Sequence, residues 1–116
     1  MKRDMRLYVY DILESILAIE EYTKDISEES FYESRQVQDA VIRRFEIIGE
    51  AVKNLDTDFR NKYSDVPWIK IAAIRNVFIH EYFGVRLERV WAIINNDLPN
   101  LKLKVSKIWE EIKDAG

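Results

Sequence analysis

The chain has 116 residues, 47% of them hydrophobic and 34% charged, with three glycines, two prolines, no cysteine and a net charge of −3. That length suits one domain, residues 1–116, around a single core, and the composition excludes a disordered chain. Without cysteine, disulfides, thiolate metal sites and cysteine nucleophiles are excluded as well.

The first segment begins MKRDMRLYVYDILESIL. Asp4, Arg6, Asp11 and Glu14 interrupt its apolar residues well before a secretory or membrane-spanning length, so a cytoplasmic protein with no membrane partner is expected. Met5, Val9, Ile12, Ile16 and Ile19 step by four, three, four and three, which predicts one buried stripe on a helix over about residues 3–25. The polar run Lys24 to Glu29 closes it. Ser30-Phe31-Tyr32-Glu33 then has the Ser-x-x-Glu form of a capping box and predicts a second helix over about residues 31–55. Its stripe is Val37, Val41, Phe45, Ile48, Val52 and Leu55. Gly49 in mid-helix costs about 1 kcal/mol relative to alanine, so it is expected where another helix approaches closely. Thr57 to Tyr63 reads as one short helical turn with Thr57 as a plausible cap.

A third helix opens at Ser64-Asp65-Val66-Pro67, where Asp can cap and Pro is tolerated, and runs from Trp68 to Phe83, with Gly84 as the natural stop. A fourth begins near Arg86 and carries Leu87, Val90, Trp91 and Ile94. Pro99 predicts a break or kink near Asn96, because proline removes a helical hydrogen bond and clashes with the preceding turn. A last segment carries Leu101, Val105, Ile108, Trp109 and Ile112. With no strand-like alternation, the expected fold is all-α, an up-and-down bundle of four to five helices.

The chain's only histidine lies in RNVFIHEYFG, residues 75–84. On an ideal helix Arg75 and His80 stand roughly 140° apart, whereas Asn76 and His80, one turn apart, share a face. Arg75 reaches His80 if the last turn loosens toward Gly84. Alternatively, a two-fold dimer brings two histidines and two arginines into one composite cleft, where they can share acid and base work on a phosphodiester and stabilise its transition-state charge. A helix-terminal histidine is also favoured simply because imidazolium complements the helix dipole.

Charge is unevenly distributed. Residues 1–33 carry four basic and nine acidic side chains, residues 34–107 thirteen and nine, and residues 108–116 one and three. The basic middle section holds the motif, which fits either a local anion-binding surface or a set of solvated helix faces.

Arg75, four residues, His80, one residue and Tyr82 resemble the Arg-x(four)-His-x-Tyr motif of the HepT-like toxins of the HEPN superfamily. The resemblance covers nearly the whole chain. Arg43 to Ala51 resembles that family's second-helix signature, Pro67-Trp68 its motif-helix start, and Asn96-Asp97-Leu98-Pro99 its last-helix break; Ala73 stands where the family often has glycine. The resemblance implies a HEPN-like helical dimer with the cleft at its interface, working as a metal-independent endoribonuclease without a cofactor and as the toxin of a two-gene system. It implies that Arg75 and His80 are catalytic and that Asn76 positions RNA or His80. It further implies that Tyr82 receives AMP from a cognate minimal nucleotidyltransferase antitoxin, which silences the nuclease by adding negative charge to a basic cleft.

Other features have plainer readings. Asp56-Thr57-Asp58 lacks the glycine and third ligand of a calcium loop and the Gly-Ser loop of a nucleotidyltransferase, so a cap or turn is expected. Neither a Walker loop nor a dinucleotide-binding glycine pattern occurs. Trp68, Trp91 and Trp109 suit core or dimer anchoring, with base stacking as the alternative. The acidic cluster from Glu20 to Glu29 is a solvated helix end or a contact for a basic antitoxin. A second function of another class stays open: a non-catalytic partner of a nucleotidyltransferase, with Arg75, Asn76 and His80 as a nucleotide or phosphate site.

Overall fold

The computed structural model describes residues 4–80 and 86–115, with side chains described for 4–75 and 86–115. Four long helical stretches supply the framework: α1 (Met5–Thr23), α3 (Arg35–Lys53), α5 (Trp68–His80), and α6 (Leu87–Ala92) continued through a π-helical turn (Ile93–Asp97) into α7 (Leu98–Ile112). The short helices α2 (Glu28–Glu33) and α4 (Thr57–Lys62) lie between them, and no strand occurs among the described residues. The all-α expectation holds.

The predicted stripes form the core. Val9, Ile12, Ile16 and Ile19 of α1 meet Val41, Phe45, Ile48 and Val52 of α3, all buried, and Val90, Ile94, Val105 and Ile108 close the same core from the C-terminal run. α3 packs against α1 on one side and α5 on the other, while α1 also packs against α7. Fully burying each such aliphatic side chain contributes about 1.5–3 kcal/mol, which is why the stripe spacing decides the arrangement.

Three local expectations are corrected. The capping box at Ser30 does not start the second long helix, because Ser30 lies inside α2, its N–H donating to Ser27 Oγ at 3.1 Å. Ser34 is the true start: its backbone is extended, its hydroxyl accepts from the Val37 N–H at 3.2 Å, and α3 follows. The Gln38 side-chain amide donates to the carbonyls of Phe31 and Tyr32, tying off α2. Phe31, fully buried, packs on Trp91 with ring centroids 5.2 Å apart, and that contact sets the separate direction of α2. At the next connection Asp56 rather than Thr57 is the cap, its carboxylate accepting from the Phe59 N–H at 2.8 Å.

The third correction concerns Pro99. The helix does not stop near Asn96; the irregularity expected there is a π turn over Ile93–Asp97, where the Leu98 N–H donates to the Ile93 carbonyl five residues back. A π turn re-spaces the backbone around proline's missing N–H and bulky ring without stopping the helix. Ile94 and Leu98, both buried, hold the turn against the core.

Candidate functional site

The motif helix α5 starts at Trp68, where the Pro67 carbonyl accepts from the Ile71 N–H at 3.1 Å. The Trp68 indole donates to the Tyr63 carbonyl at 3.0 Å and its ring packs near Phe59, so the start of α5 is fixed to the α4 connection. Ile71 is buried and Ala72 and Ile74 are partly buried against the core. From this anchor the helix carries positions 75, 76 and 80 in one continuous register through His80. Tyr82 and the Gly84 stop lie outside the described residues.

Arg75 is the motif residue whose side chain is among those described. It faces α3 at Gly49, where a Cβ added to the glycine would lie 2.3 Å from the Arg75 Cβ. The glycine thus permits the close approach expected of it, and α3 and α5 meet at the arginine itself. The Arg75 Nε donates to Glu50 Oε2 at 3.0 Å; the arginine side chain is 26% exposed and the glutamate 56%. A guanidinium held through Nε by a carboxylate keeps its outer nitrogens available to a planar anion such as phosphate.

The groove beside Arg75 has a volume of about 310 Å³ and is lined by Tyr8, Asp11, Arg43, Glu46, Glu50 and Arg75, among others. Arg43 pairs with Glu46 at 3.3 Å. Among the described residues, three carboxylates against two guanidiniums do not make this groove of a single copy basic. A second cavity of about 230 Å³ lies between α3, α5, the π turn and α7, and its walls, including Ile71, Ile74, Leu98 and Leu101, are largely apolar.

Among the described residues no cluster of three or more histidines or carboxylates is arranged to hold a metal ion. Asp56 is occupied as the α4 cap and Asp58 lies in that helix's first turn, the plainer of the two readings of this stretch. Trp68 is a core residue, while Trp91 and Trp109 are partly buried against the core. No helix among the described residues is long and apolar enough to cross a membrane. Glu50 is the site residue that sequence reasoning passed over. It stands in the Arg43 to Ala51 run, but its partner is 25 positions away and is revealed only by packing of α3 on α5.

Helices alone among the described residues, with the arginine of the motif helix packed on a glycine of α3, define a small helical protein. The family model described as "Ribonuclease HepT-like" matches residues 12–108, and the chain belongs to that family. It is 51% identical over 97% of its length to a Methanocaldococcus jannaschii protein named "Gamma-glutamylcyclotransferase and putative RNase", of which it spans only 50%. It is 46% identical to a "Putative RNase" of the same organism, covering 97% of this chain and 91% of that protein. The "Probable ribonuclease HepT" of Thermococcus cleftensis is 44% identical, covering 93% of this chain and 98% of the relative. No solved structure matches the chain.

Proposed function

We propose that this chain, as a single domain, is a metal-independent endoribonuclease and the toxin of a two-gene system whose antitoxin is a minimal nucleotidyltransferase. The observation that carries this reading is Arg75: half-buried on α5, packed over Gly49 and held by Glu50, it is an oriented cation in a member of a ribonuclease-like family. Membership of that family and the names of the relatives support RNA as the substrate.

In the proposed reaction the ribose 2′-oxygen attacks the adjacent phosphorus and the bond from phosphorus to the 5′-oxygen breaks. A base removes the 2′-hydroxyl proton and an acid returns a proton to the 5′-oxygen, leaving a 2′,3′-cyclic phosphate and a 5′-hydroxyl. His80 is assigned the acid and base work, Arg75 the charge growing on the phosphoryl oxygens, and Asn76 the positioning of RNA or His80. Two such roles in one step and one histidine per chain favour a homodimer with a shared cleft. The groove at Arg75 is acid-rich, and a second copy of it would carry the same balance of charge, so only the histidine count favours the dimer. AMP on Tyr82 would silence the enzyme by repelling the RNA backbone.

That same acid-rich groove is also the observation that favours a second reading, a non-catalytic partner that binds one nucleotide beside Arg75. The deciding experiment is RNA cleavage in chelator by protein expressed with and without the neighbouring gene, alongside Arg75→Ala and His80→Ala. Metal-independent cleavage, lost in both variants and lost when Tyr82 gains the mass of AMP, is expected. An unmodified wild-type protein that cuts no RNA would leave the nucleotide-binding reading in its place.

A further inference from the structure

An exposed tyrosine and a partly buried tryptophan stand together away from the Arg75–Glu50 pair. Tyr10, on the outer side of α1, is 49% exposed, and its ring lies 5.6 Å from that of Trp109 on α7, with the planes at 54°. They line a shallow groove of about 480 Å³ together with Arg6, Leu7 and Lys113. Tyr8 and Asp11 line both this groove and the one beside Arg75, so the two are continuous across the first turns of α1. This follows from the packing of α1 between α3 and α7.

The chemistry of this end differs from that of the Arg75 end. Trp109 packs partly against the core, while Tyr10, 49% exposed, and Leu7, 58% exposed, leave apolar surface in water that a ligand can cover. Two cations, Arg6 and Lys113, line the groove with the rings, together with two carboxylates, Asp4 and Asp11. Arg6 is paired with Asp4 and donates to the Lys113 carbonyl, whereas the Lys113 amine pairs at 2.7 Å with Glu110, whose side chain is 65% exposed. Exposed pairs of this kind contribute little and exchange readily for another anion. An aromatic face with an exchangeable cation at its edge matches one unpaired base and its phosphate, because stacking needs only a π face and tolerates any base.

Resting on the ribonuclease reading, we infer that Tyr10 and Trp109 form a stacking platform for an unpaired base of the RNA strand flanking the scissile phosphate, with Lys113 on that nucleotide's phosphate. The platform therefore selects single-stranded substrate, since a base inside a duplex has no free face to offer. Tyr10 and Trp109 are positioning residues and take no part in proton transfer.

The test uses the full chain and a short single-stranded oligonucleotide with 2′-O-methyl riboses, which cannot be cleaved, followed by tryptophan fluorescence. Wild-type fluorescence is expected to be quenched on binding, with most of the quenching lost in Trp109→Phe. Tyr10→Ala, an exposed site with little risk to folding, is expected to weaken binding about tenfold or more. On cleavable RNA the same variant raises KM by a similar factor and leaves kcat unchanged. Quenching that persists in Trp109→Phe, or equal affinity in Tyr10→Ala, overturns the platform. A Tyr10→Ala change in oligomeric state with unchanged RNA affinity overturns it too, by making the face a protein contact. Oligonucleotide binding that depends on Tyr10 in a protein that cuts nothing leaves the platform standing and removes the nuclease reading. Cleavage with a Tyr10-independent KM does the reverse.

Discussion

Gly49 and Arg75 meet so closely that a Cβ on the glycine would fall 2.3 Å from the Cβ of the arginine. Real side chains do not approach to that distance, so Gly49→Ala must push α5 away from α3. On an isolated helix the substitution gains about 1 kcal/mol of propensity. Here the overpacking cost of about 1–3 kcal/mol outweighs it. The expected result is a net loss of stability, read as a lower urea midpoint at unchanged slope. The severest clash is with the arginine Cβ, which alanine keeps, while the tight contacts with Cγ and Cδ at 3.2 and 3.3 Å would go, so combining Gly49→Ala with Arg75→Ala recovers only a small part of the loss. A Gly49→Ala protein as stable as wild type would refute this account of the contact.

Glu50 holds the Arg75 guanidinium through Nε, yet its own side chain is 56% exposed. An exposed ion pair adds at most about 1 kcal/mol, so Glu50→Gln should barely change the unfolding midpoint. Its effect should fall on the reaction. With the charged anchor reduced to a neutral acceptor that holds the guanidinium more weakly, kcat for RNA cleavage is expected to drop about tenfold. KM should not rise, because a carboxylate has been removed from the groove proposed to receive a polyanion. A larger KM with unchanged kcat would make Glu50 a binding residue instead.

The long helices and their buried faces were legible because burial follows spacing: Val9, Ile12, Ile16 and Ile19 lie where a 3.6-residue period puts them. Gly49 was legible for a different reason, since a glycine in a strong helix needs a cause. Local rules ran out where several residues satisfied them equally. Ser27, Ser30 and Ser34 all have cap chemistry, and the choice among them depends on Phe31 reaching Trp91 and on Gln38 reaching two carbonyls, contacts absent from any local window. Pro99 announced a disturbance in the helix, but only the burial of Ile94 and Leu98 on either side decides for a π turn over a break. At the site, the motif named Arg75 but not Glu50, because their pairing exists only once α3 and α5 have packed.

Ser15 offers a test of the core. Its side chain is fully buried among the aliphatic residues of α1, and its hydroxyl has no hydrogen-bond partner. Burying an unpaired hydroxyl costs about 1–3 kcal/mol, and alanine removes it while favouring the helix. Ser15→Ala is therefore expected to raise stability by about 1 kcal/mol, measured by thermal or urea unfolding, without touching RNA cleavage. A destabilised Ser15→Ala would mean that the hydroxyl is satisfied in solution, with a buried water as the natural partner.

Tyr32 carries a pH signature. Its hydroxyl donates to Glu28 Oε1 one turn earlier in α2, and that hydrogen bond, reinforced by desolvation and by the negative charges of Glu28 and Glu88, pushes its pKa from the ordinary 10.0 up to about 12. The folded protein therefore holds this proton more tightly than the unfolded chain. The sign follows: the contribution to stability is fully present below pH 10 and is lost as pH rises from there through about 12. An alkaline titration followed by phenolate absorbance should show a late step that disappears in Tyr32→Phe. In Glu28→Gln the carboxylate charge is removed and the step should move to lower pH. If the late step survives both substitutions, it belongs to another tyrosine, and Tyr63 is the one to examine next, because burial and its hydrogen bond to Glu111 raise its pKa as well.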